Sequence, residues 1–212
     1  MSSKGFCHPR YEEIICKNKA VIFTDVVNSS ATFENVGDLL ATEMILEFFE
    51  VSQRIIELHD GMVVKTTGDG VMAVFDCPVQ ALRVAMAIQR EPSRSFQCKI
   101  GIAYGEVAMV ETSMGWDYFG QTVILASRLL MEPGMIVMSQ KLYDQPGVAD
   151  LLHYHYVVPN NRAIKGFHGQ IPCCDVLPLQ PTGKPPTKRR SDDKIWWQRW
   201  PKSSTKPSSC LA

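Results

Sequence analysis

Asp25 ends a short apolar, β-branched run, Ala20-Val21-Ile22-Phe23-Thr24, and Asp69 stands in Thr67-Gly68-Asp69-Gly70 between two further apolar runs. A carboxylate at the end of a buried strand is costly unless a cation compensates it. Singly, each has a structural explanation: Asp25 could cap the turn through Ser29 or Ser30, and Asp-Gly makes a good turn on its own account. Together they offer two oxygen ligands from adjacent strands, the arrangement that holds a pair of Mg²⁺ ions roughly 3.5–4 Å apart for phosphoryl transfer. The pair is more informative than either member.

The elements that must position them follow from periodicity. Ala20 to Val27 reads as a buried strand ending in the turn Asn28-Ser29-Ser30. Leu40, Met44, Phe48, Val51, Ile55 and Leu58 are spaced three or four apart, which predicts a long amphipathic helix from about Asp38 to His59, stopped by Asp60-Gly61. Strands at Met62–Thr66 and Val71–Phe75 flank Asp69, because Asp-Gly between apolar runs signals a hairpin. A helix opens near Pro78 and ends before Pro92; Lys99–Tyr104 and Val107–Val110 read as third and fourth strands around Gly105. A third helix is expected over Gly120–Met131, then short strands at Met135–Met138, His155–Val158 and Cys173–Leu177. The order β-α-β-β-α-β is that of a ferredoxin-like α/β sandwich, here with added C-terminal strands.

Composition narrows the class. The 212 residues, 45% hydrophobic, suffice for one domain with a sizeable core plus a tail. We divide them into an N-terminal extension 1–19, a catalytic domain 20–179 and a tail 180–212. No apolar run approaches the length of a membrane span and the N-terminus lacks the pattern of a secretory signal, which points to a cytoplasmic protein. The seven cysteines are an odd number, with no CxxC pair and no zinc spacing, and read as reduced thiols. Net charge is zero but uneven: from Gln180 onward eight Lys/Arg face two Asp/Glu, leaving that segment at +6 and the rest at −6. An acidic body argues against nucleic-acid binding. The tail, rich in Pro, Ser, Lys and Arg, has a composition that favours disorder, and Ile195-Trp196-Trp197-Gln198-Arg199-Trp200 within it suits an anionic membrane surface, a partner, or packing back on the body.

Four segments carry a resemblance to a known family. Phe23-Thr24-Asp25-Val26-Val27-Asn28-Ser29-Ser30 and Gly61-Met62-Val63-Val64-Lys65-Thr66-Thr67-Gly68-Asp69-Gly70-Val71-Met72-Ala73-Val74-Phe75 resemble the two metal-binding segments of class III adenylyl and guanylyl cyclases. Gly101-Ile102-Ala103-Tyr104-Gly105-Glu106-Val107 is similar to that family's glycine-bounded strand pair, and Asp117 to Leu129 to its third catalytic segment. The match runs in order from about Ala20 to Leu177. The resemblance implies the ferredoxin-like cyclase fold, a head-to-tail homodimer with a heterodimer as alternative, and two divalent metal ions, Mg²⁺ or Mn²⁺, as cofactors. It implies that Asp25, Asp69 and the backbone of Val26 hold metal, that Val27, Asn28, Ser29 and Ser30 touch metal or phosphate, and that Lys65 and Asp117 read the base. Arg128 then meets charge developing on the phosphates, and Lys165, in Ile164-Lys165-Gly166-Phe167, grips the triphosphate or is a solvated surface lysine.

The reaction so implied is attack of the ribose 3′-oxygen on the α-phosphorus of a nucleoside triphosphate, releasing pyrophosphate. Lys65 can only donate and ionised Asp117 can only accept, which suits a base offering an acceptor beside an amino group. Adenine has that edge and makes ATP the favoured substrate; cytosine shares it, whereas guanine and uracil present the reverse. A pyrimidine cyclase of the bacterial defence type is therefore one alternative. The sequence also departs from the family. Four residues before the arginine the family has an asparagine, where this chain has Ile124, and the glycine expected after Val27 is Asn28, a residue that tolerates left-handed turns. Ile124 cannot make the asparagine's hydrogen bond, which leaves a slow homodimer, a substituting group, a heterodimer whose partner supplies the amide, or a cyclase-like module that binds without turnover.

Overall fold

The computed structural model describes residues 6–8, 11–91 and 97–177. The tail and its tryptophan segment lie outside the described residues. The elements run in chain order β1 (Phe6–His8), β2 (Tyr11–Val26), α1 (Ser29–Val36), α2 (Asp38–Glu57), β3 (Met62–Thr67), β4 (Gly70–Phe75), α3 (Pro78–Arg90), β5 (Cys98–Thr112), β6 (Gly115–Phe119), α4 (Gln121–Arg128), β7 (Ile136–Ser139), α5 (Gln140–Tyr143), α6 (Val148–Leu151), β8 (Tyr156–Ala163) and β9 (Gln170–Leu177). Among the described residues the strands form one sheet in the order β3-β4-β2-β5-β7-β9-β8, with β1 beside β2 and β6 beside β5. Strands β3, β4, β2 and β5 are the ferredoxin-like unit, and β7, β9 and β8 extend it at one side.

Strand alternation divides the core between the two faces of the sheet. Ala20 and Ile22 of β2, Val71, Ala73 and Phe75 of β4, and Ile100 and Ile102 of β5 pack under α2 and α3. Val21, Phe23, Met72, Val74 and Ala103 point the other way, beneath α4 and its Ala126. Phe75, Ile22, Ile56 and Leu82 are fully buried.

Three expectations need correction. The strand expected from Ala20 begins at Tyr11: its polar stretch Lys17-Asn18-Lys19 continues the pairing with β5, and Lys19 is buried with Nζ paired to Asp76 at 2.6 Å. The two strands expected around Gly105 are one continuous strand, β5, which pairs with β2 from Cys98 to Val110. The turn at Asn28–Ser30 leads directly into α1, which buries no residue and so carries little periodic signal. Strand β6 and the short α5 and α6 were not foreseen.

One titratable group outside the sheet couples folding to pH. Arg90 Nη2 at the end of α3 lies 2.6 Å from Nε2 of His155, and since arginine only donates, that nitrogen accepts and the ring is neutral. Burial first, then the Arg90 charge, lowers the His155 pKa from 6.5, against a backbone hydrogen bond at Leu151 that raises it. The unfolded chain thus binds the proton more readily than the folded one, so stability falls as pH drops below 6.5 toward the folded pKa. His155→Gln should flatten the fall of melting temperature as pH drops below 6.5. An unchanged slope would place the acid sensitivity elsewhere.

Candidate active site

The end of β2 and the β3–β4 turn are fastened together by a hydrogen bond and a close packing contact. The backbone N–H of Val71 donates to Thr24 Oγ1 at 2.9 Å in a buried position. A Cβ built on Gly70 would stand 1.9 Å from the carbonyl oxygen of Thr24, so only glycine lets the hairpin tip lie on β2 at this point. Gly68, at φ +73, makes the turn itself. The hairpin tip that carries Asp69 is thereby held against the end of β2 that carries Asp25. Gly70→Ala should push the tip aside by about an ångström. Misplacement on that scale costs about 10²-fold in turnover, and a melting temperature lowered by the same substitution would show that the contact supports the fold as well.

Asp25 is half-buried and faces Lys99, its cross-strand neighbour on β5, with Lys99 Nζ donating to Asp25 Oδ2 at 3.0 Å. Lys99 was not picked out from the sequence. The available signal was a single charge in the apolar stretch Cys98–Ala103, and only the register of β2 against β5 reveals what it meets. Beyond Asp25 the chain turns through Val27, whose N–H donates to Gln97 O at 2.9 Å, and Asn28, in the left-handed region at φ 60. Helix α1 starts at Ser29 with no side-chain cap and no acidic residue in its first turn, so its leading N–H groups are free to meet an anion next to Asp25.

Two carboxylates with backbone oxygens nearby fit a hard divalent cation that completes its shell with water and phosphate oxygens. No group of three or more His, Cys, Asp or Glu side chains suited to a metal occurs among the described residues, so phosphate or water oxygens would have to make up the rest. The donor set suits Mg²⁺ or Mn²⁺ carried with a nucleotide, and is poor for a resident zinc.

A second cluster lies between β3 and β6. Lys65 Nζ donates to both carboxylate oxygens of Asp117, at 2.8 and 2.6 Å, and Asp117 Oδ1 also accepts from the Tyr118 backbone N–H at 2.8 Å. Lys65 and Asp117 are thus brought together within one chain. Helix α4 presents Ile124 and Arg128, one turn apart and both exposed. Two β5 glycines admit it: a Cβ on Gly101 would be 2.2 Å from Ala126 O, and one on Gly105 2.8 Å from Thr122 Oγ1. Gly105 is in the sequence for this approach and makes no turn.

Lys165 is not brought into either cluster. It follows β8, while cross-strand pairs align Thr24, Ile100, Ile136 and Val176 in one row, and β9 begins at Gln170, six residues below that row. Lys165 therefore lies roughly 20 Å along the sheet from Asp25, besides being displaced sideways across it.

The chain matches a family model described as "Adenylate and Guanylate cyclase catalytic domain" over residues 12–169. It is 29% identical over 144 residues to a putative adenylate cyclase of Rhizobium meliloti, covering 63% of this chain and 24% of that protein. It is 31% identical over 121 residues to an adenylate cyclase of Streptomyces coelicolor, covering 56% of this chain and 31% of the relative. The chain thus spans between a quarter and a third of the length of these relatives. Among solved structures, an adenylate/guanylate cyclase/hydrolase from Silicibacter pomeroyi superposes with a TM-score of 0.65 at 28% identity, covering 78% of this chain and 99% of that one. An adenylyl cyclase from P. aeruginosa gives 0.64 at 21% identity, covering 80% and 98%. With most of its described fold inside the matched region, this chain belongs to the family of adenylate and guanylate cyclase catalytic domains.

Proposed function

We propose that the chain is a nucleotidyl cyclase that forms a 3′,5′-cyclic nucleotide and pyrophosphate at the interface of a head-to-tail pair, with ATP as its preferred substrate. The observation that supports the reading is the Gly70–Thr24 contact, which holds the tip of the hairpin bearing Asp69 against the end of β2 bearing Asp25, next to the uncapped N-terminus of α1. Asp25 and Asp69, with the Val26 carbonyl, would hold two Mg²⁺ or Mn²⁺ ions, whose chemistry is to lower the pKa of the ribose hydroxyl and neutralise phosphate charge. Val27, Asn28, Ser29 and Ser30 supply backbone groups to the phosphates. Lys99 is positioned to leave Asp25 and turn to a phosphate oxygen as the nucleotide arrives.

In the reaction the 3′-oxygen bonds to the α-phosphorus, the bond from that phosphorus to the α–β bridging oxygen breaks with its electron pair leaving on pyrophosphate, and the hydroxyl proton passes to water. Arg128 stabilises the charge gathering on the phosphates, and Lys65 and Asp117 orient the base by donating to its ring nitrogen and accepting from its amino group. Lys165 lies too far from Asp25 to share a site with it in one chain, so it either grips the triphosphate in a site completed by a second chain or is a solvated surface lysine. The test is pyrophosphate release and cyclic-nucleotide formation by the purified chain with Mn²⁺ or Mg²⁺ and each of ATP, CTP, GTP and UTP. Cyclic AMP as the main product supports the proposal, cyclic CMP moves it to the pyrimidine alternative, and metal-dependent binding with no product from any nucleotide defeats it.

One observation favours a second reading, that of a heterodimer half. Ile124 is 48% exposed on the same face of α4 as Arg128, where an apolar side chain offers the ribose nothing. If a homodimer is the working form and lacks only that contact, Ile124→Asn should raise turnover by about 10-fold or more, the scale of one restored polar contact being 10²–10³. No gain from the substitution would point to a partner chain or a substituting group.

A further inference from the structure

The outward face of α2 combines features that seldom share a helix surface. Leu39, Glu43, Leu46, Glu50 and Glu57 recur at three-, four- and seven-residue spacing and so form one stripe, opposite the buried Ala41, Phe48, Ser52 and Ile56. Leu39 is 78% exposed and Leu46 52%. The helix carries Asp38, Glu43, Glu47, Glu50 and Glu57 against Arg54 alone. Single exposed leucines need no explanation. Two of them on an acidic stripe about 30 Å long make a surface fit for a segment both basic and apolar.

The same chain contains such a segment. Within residues 188–200, Lys188, Arg189, Arg190, Lys194 and Arg199 outnumber Asp192 and Asp193 and accompany Ile195, Trp196, Trp197 and Trp200. The row Thr24, Ile100, Ile136 and Val176 shows where the described chain leaves the sheet: Leu177 is at the end where β2 stops and from which α1 starts on its way to α2. Eleven further residues to Lys188 can span up to about 36–40 Å, enough to reach α2.

We propose that residues 188–200 dock on the outward stripe of α2 in the same molecule, their tryptophans covering Leu39 and Leu46 while Lys188, Arg189 and Arg190 meet Glu43, Glu47 and Glu50. Charge complementarity and the high effective concentration of a tethered segment favour this occupant. An anionic membrane would draw on the same residues, but it would repel the acidic stripe. Since α2 continues α1 through Gly37, docking would also restrain the helix whose N–H groups flank Asp25.

The experiment uses the full chain with Trp116→Phe, which leaves Trp196, Trp197 and Trp200 as the emitting residues. In lipid-free buffer their emission should be blue-shifted, and quenched by acrylamide less than in a free peptide of residues 188–200. Glu43→Lys with Glu47→Lys should raise quenching to the peptide's level, and adding Lys188→Glu, Arg189→Glu and Arg190→Glu should restore protection, with circular dichroism confirming the fold of each variant. Peptide-like quenching in the parent chain, protection that ignores the charge reversal, or a blue shift appearing only with phosphatidylserine vesicles would overturn the proposal. None of these readouts depends on whether the chain turns over nucleotide.

Discussion

Asp25→Asn is expected to lower turnover by about 10³-fold or more while leaving the fold intact. The amide keeps the shape of the carboxylate but removes the charge that would hold both metal ions, and stabilisation of developing charge is usually the largest single contribution to catalysis. The folded state loses only a part-exposed ion pair with Lys99, which is worth at most about 1 kcal/mol. Melting temperature should therefore move little. Nucleotide affinity should hold or rise, because Lys99 is left without its carboxylate and remains free for phosphate. The comparison to make is single-turnover rate against nucleotide binding for the two proteins. Equal rates would remove Asp25 from the metal site, and a collapse in melting temperature would make it a structural residue.

The second large effect concerns the base. Lys65→Glu combined with Asp117→Lys keeps an ion pair between β3 and β6 but reverses its polarity, so the acceptor now stands where the donor stood. The edge that fits is then a ring N–H beside a carbonyl, which guanine and uracil offer and adenine and cytosine do not. Sites built around a hydrogen-bonding edge reject a mismatched partner by large factors, because polar groups desolvated by the bound base are left unpaired. The ratio of kcat/KM for ATP to that for GTP should invert by about 100-fold or more. Product analysis on mixtures of the four nucleotides would show it, and an unchanged preference would mean that other residues read the base.

Much of the fold was legible because the signal lay in apolar spacing. Helices α2 and α3 and the β3–β4 hairpin were expected within a residue or two of where they lie, because Phe48, Leu82 and Ile88 recur on a regular buried period. Leu40 and Leu58, read on the same α2 stripe, are however 48% and 75% exposed, and Ile56 is buried in their place. The misread parts have other physical determinants. The strand was started too late, at Ala20, because the Asp76 partner that lets Lys19 be buried is 57 residues away in sequence, and Gly105 looked like a turn because the helix it admits comes later in the chain. The site divides in the same way. Residue type and motif pointed to Asp25, Asp69, Lys65 and Asp117, and the last two prove to be in contact. Lys99 became visible only through strand register, a long-range property that no local pattern encodes.

The two ion pairs, Asp25 with Lys99 and Lys65 with Asp117, also bear on how a charged ligand is met. Asp25, Lys99, Lys65 and Asp117 are matched pairwise to opposite charges, so these four groups together project little field into solvent. A nucleotide would then be captured mainly by exchanging one ion pair for another on contact, with little electrostatic steering from a distance. Such exchange conserves the number of paired charges. Its encounter rate should therefore answer only weakly to ionic strength, and discrimination would come from geometry at close range.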